Sequence, residues 1–254
     1  MPDPNSDIAR AALPWDVPAA LVLLTRLPLP RLPNRAFAHS ARAVWAYPIV
    51  GAVVGVVVAG LSAVATALGL PPMIVAGLCL GALVMLTGAM HEDGLADTAD
   101  GLWGGHDPAR RLEIMKDSRI GAYGVIALIV VLGLRWLGFA AVAWPALITA
   151  LILSRAMMPP LMLALPHARA DGLSRHVGTP PPVAVLAGAL IGVGAAVALI
   201  GWAGLIAAFV AALAAAGIGA LAHAKIGGQT GDILGATQIV TEIAVLLSCI
   251  AVAQ

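Results

Sequence analysis

The chain has 254 residues, of which 61% are hydrophobic and only 11% charged, with a formal net charge of +1. Soluble domains carry about 25% charged residues, so this composition excludes an ordinary soluble globular protein. The near-neutral balance also lacks the basic field that binds nucleic acid, and we expect no nucleic-acid partner. We therefore predict an integral-membrane protein surrounded by membrane lipid.

The N-terminal segment, residues 1–43, is predicted to be cytoplasmic or interfacial. It begins with MPDPNSDIAR, in which Asp3 and Asp7 stand where a signal peptide would be basic. The following WDVPAALVLLTRLPLP is apolar but short and punctuated by proline. We interpret it as an interfacial or re-entrant helix, and favour anchoring over a role in a site.

Seven apolar stretches further along the chain are long enough to cross a bilayer, which takes about 20 residues. They predict an all-α fold in a single domain, 1–254, built as a polytopic transmembrane bundle of about seven spans. Their abundant glycine and alanine favour close helix packing. The predicted spans are 44–69, 72–90, 122–143, 145–165, 182–203, 204–222 and 233–253.

The loops between these spans alternate in charge. Every second loop is short and has no charged residue, whereas the others carry arginine and lysine, including Arg169 and Arg175. Basic loops stay in the cytoplasm, so the polar loops and the active site are predicted on the cytoplasmic side. The basic loops are 10–43, 91–121, 166–181 and 223–232.

The loop 91–121 begins with HEDGLADTADG, an unusually dense group of carboxylates for so apolar a chain. If the second span continues as a helix, Asp93, Asp97 and Asp100 are spaced i, i+4 and i+7 on one face. There they repel one another and oppose the helix macrodipole. A divalent cation relieves both, and hard oxygen ligands favour Mg²⁺, Mn²⁺ or Ca²⁺ over zinc. A metal site is favoured over a solvated acidic helix end or neutralisation by arginines of another loop.

The rest of this loop supplies candidate partners for the acids. Lys116 and Arg119 place positive charge beside the acidic face, as phosphoryl transfer requires, although binding to anionic lipid headgroups stays open. His91 is a candidate base or ligand-orienting group. Asp107 before Pro108 is interpreted as the N-cap of a helix over 108–118.

A second polar segment, KIGGQTGDILGATQ, precedes the last span. Asp232, at the entry to that span, is equally well a helix N-cap or a metal ligand. Within the spans, Arg155 and Glu242 are expected to be paired or to line a polar cavity. Arg135 lies nearer the outer end of its span, where snorkelling is a sufficient explanation.

These motifs resemble the cobalamin synthase family: HEDGLADTADG, then RRLEIMKDSRIGAYG and GGQTGDILGA, with LLTRLPLP upstream, so that the likeness covers essentially the whole chain. The resemblance implies a multi-pass enzyme of the bacterial inner membrane, an adenosylcobinamide-GDP ribazoletransferase. Such an enzyme joins adenosylcobinamide-GDP to α-ribazole or α-ribazole 5′-phosphate, releases GMP and requires Mg²⁺. The oligomeric state is left open, a homo-oligomer included.

The resemblance and the residue pattern together predict three sets of site residues. Metal binding is predicted for Asp93, Asp97, Asp100 and Asp232. Catalytic roles are predicted for Asp93, Asp97, His91, Lys116 and Arg119. Substrate binding is predicted for Arg155, Lys225, Gly227, Gly228 and Thr230.

Two other functions are compatible with spaced aspartates at the end of a span. A membrane CDP-alcohol phosphotransferase uses such aspartates with Mg²⁺, but LADTADG after Gly94 departs from the pattern of that family. A divalent cation transporter would place acids deeper in the bundle, opposite one another. Apart from Glu242, the acids gather in the loops, which favours the ribazoletransferase.

Overall fold

The computed structural model describes residues 13–253, and in this range it contains no β-strand. The predicted all-α fold is confirmed. Residues 1–12, with Asp3, Asp7 and Arg10, lie outside the described residues.

Twelve α-helices follow one another in the described chain. In order they are α1 (Asp16–Leu24), α2 (Tyr47–Ala67), α3 (Pro72–Thr87), α4 (Met90–Gly104), α5 (Pro108–Ile114), α6 (Ala122–Ala141), α7 (Trp144–Ala156), α8 (Met158–Ala164), α9 (Leu173–Val177), α10 (Pro182–Ile200), α11 (Ala203–Ile226) and α12 (Gly231–Val252). Short 3₁₀ turns cover Leu13–Trp15, Asn34–Ala36 and Arg42–Ala46.

Among the described residues, six helical segments are long and apolar enough to span a membrane by themselves. A seventh span is obtained when the bent pair α3 and α4 is counted as one, so the prediction of about seven spans is confirmed. Each segment lies within a few residues of its predicted position. The six are Arg42–Ala67, Ala122–Ala141, Trp144–Ala164, Pro182–Ile200, Ala203–Ile226 and Gly231–Val252.

The chain bends sharply between α3 and α4, whose axes differ by 87°. Gly88 and Ala89 both adopt left-handed backbone angles, with φ of +65° and +57°. Two such residues end a helix, so the expectation that the second span continues through the aspartates is wrong. Glu92 and Asp93 instead occupy the first turn of a new helix, where the macrodipole stabilises carboxylates.

Two helical segments form the centre of the bundle. In Trp144–Ala164 and Gly231–Val252, 83% and 61% of the most apolar stretch is buried, against 22–33% in the other single spans. The last helix, α12, packs against α4, α7 and α11. Glycine allows close approach: a Cβ on Gly55 of α2 would lie 3.1 Å from the side chain of Ile148 in α7.

A buried ion network crosses this centre. Arg135 of α6 is 1% exposed, and its guanidinium contacts Glu92 Oε1 at 2.6 Å and Glu242 Oε1 at 2.8 Å. Gln238 donates a hydrogen bond to the second Glu242 oxygen at 2.8 Å. The expected pairing of Glu242 is confirmed, but the snorkelling interpretation of Arg135 is wrong. Two inward-facing carboxylates hold the guanidinium inside the bundle, away from lipid.

Replacing Arg135 with methionine should destabilise the fold strongly, because Glu92 and Glu242 then lose the guanidinium that contacts both of them. Removing one partner of a buried pair lowers the free energy of unfolding by about 3–5 kcal/mol. We expect this loss for R135M in SDS-driven unfolding from mixed micelles, followed by tryptophan fluorescence.

The matched control is R110M, because Arg110 forms an ion pair with Glu113 that is largely exposed. Exposed pairs contribute at most about 1 kcal/mol. The triple variant R135M/E92Q/E242Q should regain part of the lost stability. Equal unfolding of R135M and R110M would refute a stabilising role for the network.

Candidate active site

Helices α4 and α12 approach each other closely at two glycines. A Cβ on Gly94 would lie 3.0 Å from the backbone oxygen of Asp232 and 3.3 Å from Cα of Gly235. A Cβ on Gly235 would lie 3.3 Å from Cα of His91. The contact places the Asp93 turn of α4 beside the beginning of α12.

A cavity of about 220 Å³ opens beside this contact. Its polar wall includes His91, Asp93, Arg169, Ser174 and Asp232. Its apolar wall includes Leu23, Leu24, Tyr47, Met158, Met162 and Val177. Helix α1, for which anchoring was favoured, thus contributes two leucines to the cavity.

The side chains of Asp93 and Asp97 lack hydrogen-bond and ion-pair partners among the described residues. Asp93 is exposed and Asp97 half-buried, and within residues 13–253 neither forms a hydrogen bond or ion pair through its side chain. Asp97 interacts electrostatically with Asp93, Asp232 and Asp100, whose charges outweigh that of the nearby Arg169. Asp93, Asp97 and Asp232 therefore form one negative region, from two helices that are far apart in sequence.

Asp232 is not the N-cap of α12. That position belongs to Thr230, whose hydroxyl accepts a hydrogen bond from the amide of Ile233 at 3.3 Å. The cap interpretation of Asp232 is wrong because its carboxylate turns to Arg169, with Nη2 and Oδ2 3.1 Å apart. The sequence shows Arg169 as one loop cation among several, since nothing local in the sequence links it to Asp232.

Asp100 is buried and faces a different element. Its two carboxylate oxygens accept hydrogen bonds from the amides of Gly121, at 2.7 Å, and Gly124, at 2.9 Å. They satisfy unpaired donors at the start of α6. Asp100 does not line the cavity, and its predicted metal binding stays a prediction.

Lys116 and Arg119 lie outside the cavity wall. Lys116 Nζ is 2.6 Å from Asp171 Oδ2, and this hydrogen bond lowers the pKa of the Asp171 carboxyl. Arg119 binds Asp117 at 2.7 Å, and its hydrogen bonds lower the pKa of that carboxyl to about 2. The structure does not bring these two cations to the aspartates of α4.

Residues of the glycine-rich motif hold the neighbouring loops together. Lys225 Nζ donates to the carbonyl of Leu102 at 2.7 Å and lies 4.5 Å from the centre of the Trp103 ring. Gly227 ends α11 with φ of +74°. A Cβ on Gly228 would collide with the carbonyl of Pro166. None of Lys225, Gly227 or Gly228 lines the cavity.

His91 and Arg155 are both 1% exposed. His91 lines the cavity, and its Nε2 has no hydrogen-bond partner among the described residues. Arg155 lies deeper, donates to the carbonyl of Leu151 at 3.0 Å and interacts electrostatically with Glu242 and Glu92. Among the described residues, Arg155 thus forms no ion pair, its Nε lacks a hydrogen-bond partner, and it does not line this cavity, so the expected pairing is not found.

The donor set bears on which metal would fit. Within residues 13–253, no three His, Cys, Asp or Glu side chains are placed to hold one ion. That argues against a site closed by protein ligands alone. Mg²⁺, however, binds through one or two carboxylates and completes its octahedron with water and substrate phosphates. Asp93 and Asp232, which line one cavity, suit that mode of binding.

Comparisons with known proteins find relatives that match most of the chain. Residues 16–250 match the family model described as cobalamin-5-phosphate synthase. A protein of Bradyrhizobium diazoefficiens named adenosylcobinamide-GDP ribazoletransferase is 43% identical over 91% of this chain and 92% of its own. Proteins with the same name from Mesorhizobium japonicum and Azorhizobium caulinodans are each 44% identical, over 96% and 94% of this chain and 96% of their own length. The comparison with solved structures found no match. The chain therefore belongs to the cobalamin-5-phosphate synthase family.

Proposed function

We propose that this protein is an adenosylcobinamide-GDP ribazoletransferase that acts late in cobalamin synthesis. A hydroxyl of α-ribazole, or of its 5′-phosphate, attacks the phosphate attached to cobinamide. The new P–O bond replaces the bond to GMP, which leaves, and the hydroxyl proton is released. The observation that carries the proposal is a cavity whose wall combines carboxylates, a guanidinium and apolar side chains.

The volume of the cavity indicates which of the two substrates can enter it. Pockets for drug-sized molecules occupy about 300–1,000 Å³, and this cavity has about 220 Å³. It suits a nucleoside-sized molecule, whereas a corrinoid is far larger. The α-ribazole would enter, with its flat base against Leu24, Tyr47 and Met162, and the corrin ring would stay outside.

Asp93 and Asp232 are the proposed Mg²⁺ ligands, because both line the cavity, and Asp97 adds negative charge beside them. When bound, Mg²⁺ neutralises phosphate oxygens and stabilises the leaving group. Asp100 is left out of this ligand set, because backbone amides at the start of α6 donate hydrogen bonds to both of its carboxylate oxygens.

His91 is the proposed general base. The residue lines the cavity, and its buried Nε2 has no hydrogen-bond partner among the described residues, so this nitrogen is available to accept the hydroxyl proton of α-ribazole. The transport alternative gains no support from the deeper acids, because Glu92 and Glu242 are both engaged in ion pairs with Arg135.

The direct test uses purified protein in nanodiscs with adenosylcobinamide-GDP and α-ribazole. We expect cobalamin and GMP to form in equal amounts with Mg²⁺, and neither to form with EDTA. Folded protein that makes no product under either condition would refute the proposed reaction. Product in EDTA would refute the metal requirement alone.

Substituting asparagine for Asp93 or Asp232 should lower kcat/KM by about 100-fold or more, because each loses a charge that holds Mg²⁺. The Mg²⁺ concentration for half-maximal activity should also rise. The control is D117N, on an exposed loop, which should leave both quantities near wild type. Unchanged Mg²⁺ dependence in D93N and D232N would exclude them as ligands.

Replacing Gly94 with alanine should separate α4 from α12 by a few tenths of an ångström, since the new Cβ meets the Asp232 backbone. Misplacement of a reacting group by 1 Å reduces rates by about 100-fold, so we expect a loss of about tenfold in kcat. G133A is the matched control, because a Cβ at Gly133 of α6 would have no neighbour within 4 Å. Equal activity of the two variants would contradict a positioning role for the Gly94 contact.

A further inference from the structure

Arg169 has hydrogen-bonding capacity that the protein does not use. Its Nη2 pairs with Asp232 at 3.1 Å, and its Nε is 3.9 Å from an oxygen of Asp171. Its Nη1 is buried and has no hydrogen-bond partner within residues 13–253. A guanidinium carries five N–H donors in a fixed plane, and a buried donor without an acceptor is unfavourable unless a ligand supplies one.

The backbone around Arg169 is fixed in place before any ligand binds. Ala168 donates its amide to the carbonyl of Gln229 at 2.9 Å, and Gln229 donates to the carbonyl of Pro166 at 2.8 Å. The Gln229 side chain also bonds to His167 Nδ1 at 2.9 Å. The segment that carries Arg169 is thereby attached to the loop preceding Asp232, so the guanidinium is preorganised.

Gly172 leaves room for the guanidinium. Its φ of +98° lies in a region that other residues rarely adopt, and a Cβ there would lie 3.1 Å from Arg169 Nε. Among the described residues lining the cavity, Arg169 is the one arginine or lysine. An anion in the cavity therefore meets positive charge at this side chain, while Asp93 and Asp232 repel it.

We propose that Arg169 binds the pyrophosphate of adenosylcobinamide-GDP, with Nη1 donating to a non-bridging oxygen. Arginine suits this contact because its planar donors match phosphate oxygens. The ion pair with Asp232 places the bound phosphate beside the carboxylates of the site. This inference rests on the proposed function and assigns to Arg169 the phosphate contact that the sequence pattern gave to Lys116 and Arg119.

The test compares R169A and R169Q with wild type in nanodiscs. Binding of adenosylcobinamide-GDP is measured by calorimetry in EDTA, and kcat/KM is measured with Mg²⁺. We expect the dissociation constant to rise at least about tenfold, a change of about 1.4 kcal/mol. Added guanidinium should restore part of the R169A activity. R175A, on the same loop but outside the cavity wall, should bind as wild type does.

The outcomes separate this inference from the proposed function. Wild-type protein without product refutes the proposed function, whatever the variants do. Active wild type with a folded R169Q of unchanged affinity overturns the role of Arg169 alone. A variant that binds α-ribazole 5′-phosphate more weakly, but adenosylcobinamide-GDP with unchanged affinity, overturns the assignment of Arg169 to the pyrophosphate. R169Q retains an amide donor for Asp232, so it tests the charge if R169A does not fold.

Discussion

The structure depends on one buried guanidinium that must meet two carboxylates inside an apolar bundle. Arg135 of α6 contacts Glu92 of α4 and Glu242 of α12, and these ion pairs offset the cost of burying charge at such depth. One planar group that bonds both acids fixes three helices relative to one another. Glu92 directly precedes Asp93, so the ion pair between Arg135 and Glu92 also determines where the Asp93 carboxylate lies.

The second constraint is steric and acts on the same two helices. The left-handed residues Gly88 and Ala89 turn the chain by 87°, which directs α4 across the end of α3. Gly94 and Gly235 then let α4 and α12 approach until their backbones are in contact. Electrostatic pairing and close packing therefore act together, and both favour the same placement of Asp93 beside Asp232.

The sequence predicts the features whose signals are local. Spans follow from runs of apolar residues, and the cap at Asp107 follows from its neighbour Pro108; its side chain accepts from the amide of Arg110 at 3.0 Å. The helix after this cap ends at Ile114, short of the predicted 118. Arg135 contacts acids 43 and 107 residues away, and no pattern of hydropathy encodes such a pairing. The bend was missed because Ala89, which completes it, is ordinarily a helix-forming residue.

The carboxylates of the acidic motif fall into two groups, those with bonding partners inside the protein and those without. Glu92 forms an ion pair with Arg135, and Asp100 accepts hydrogen bonds from the backbone amides at the start of α6. Asp93 and Asp97 form no ion pair among the described residues. In this chain of few charges, Glu92 and Asp100 thus have bonding partners that stabilise the fold, whereas Asp93 and Asp97 have none among the described residues. Asp93 is therefore available to the proposed cation together with Asp232 of α12, and it lies on the helix that the buried ion pair positions.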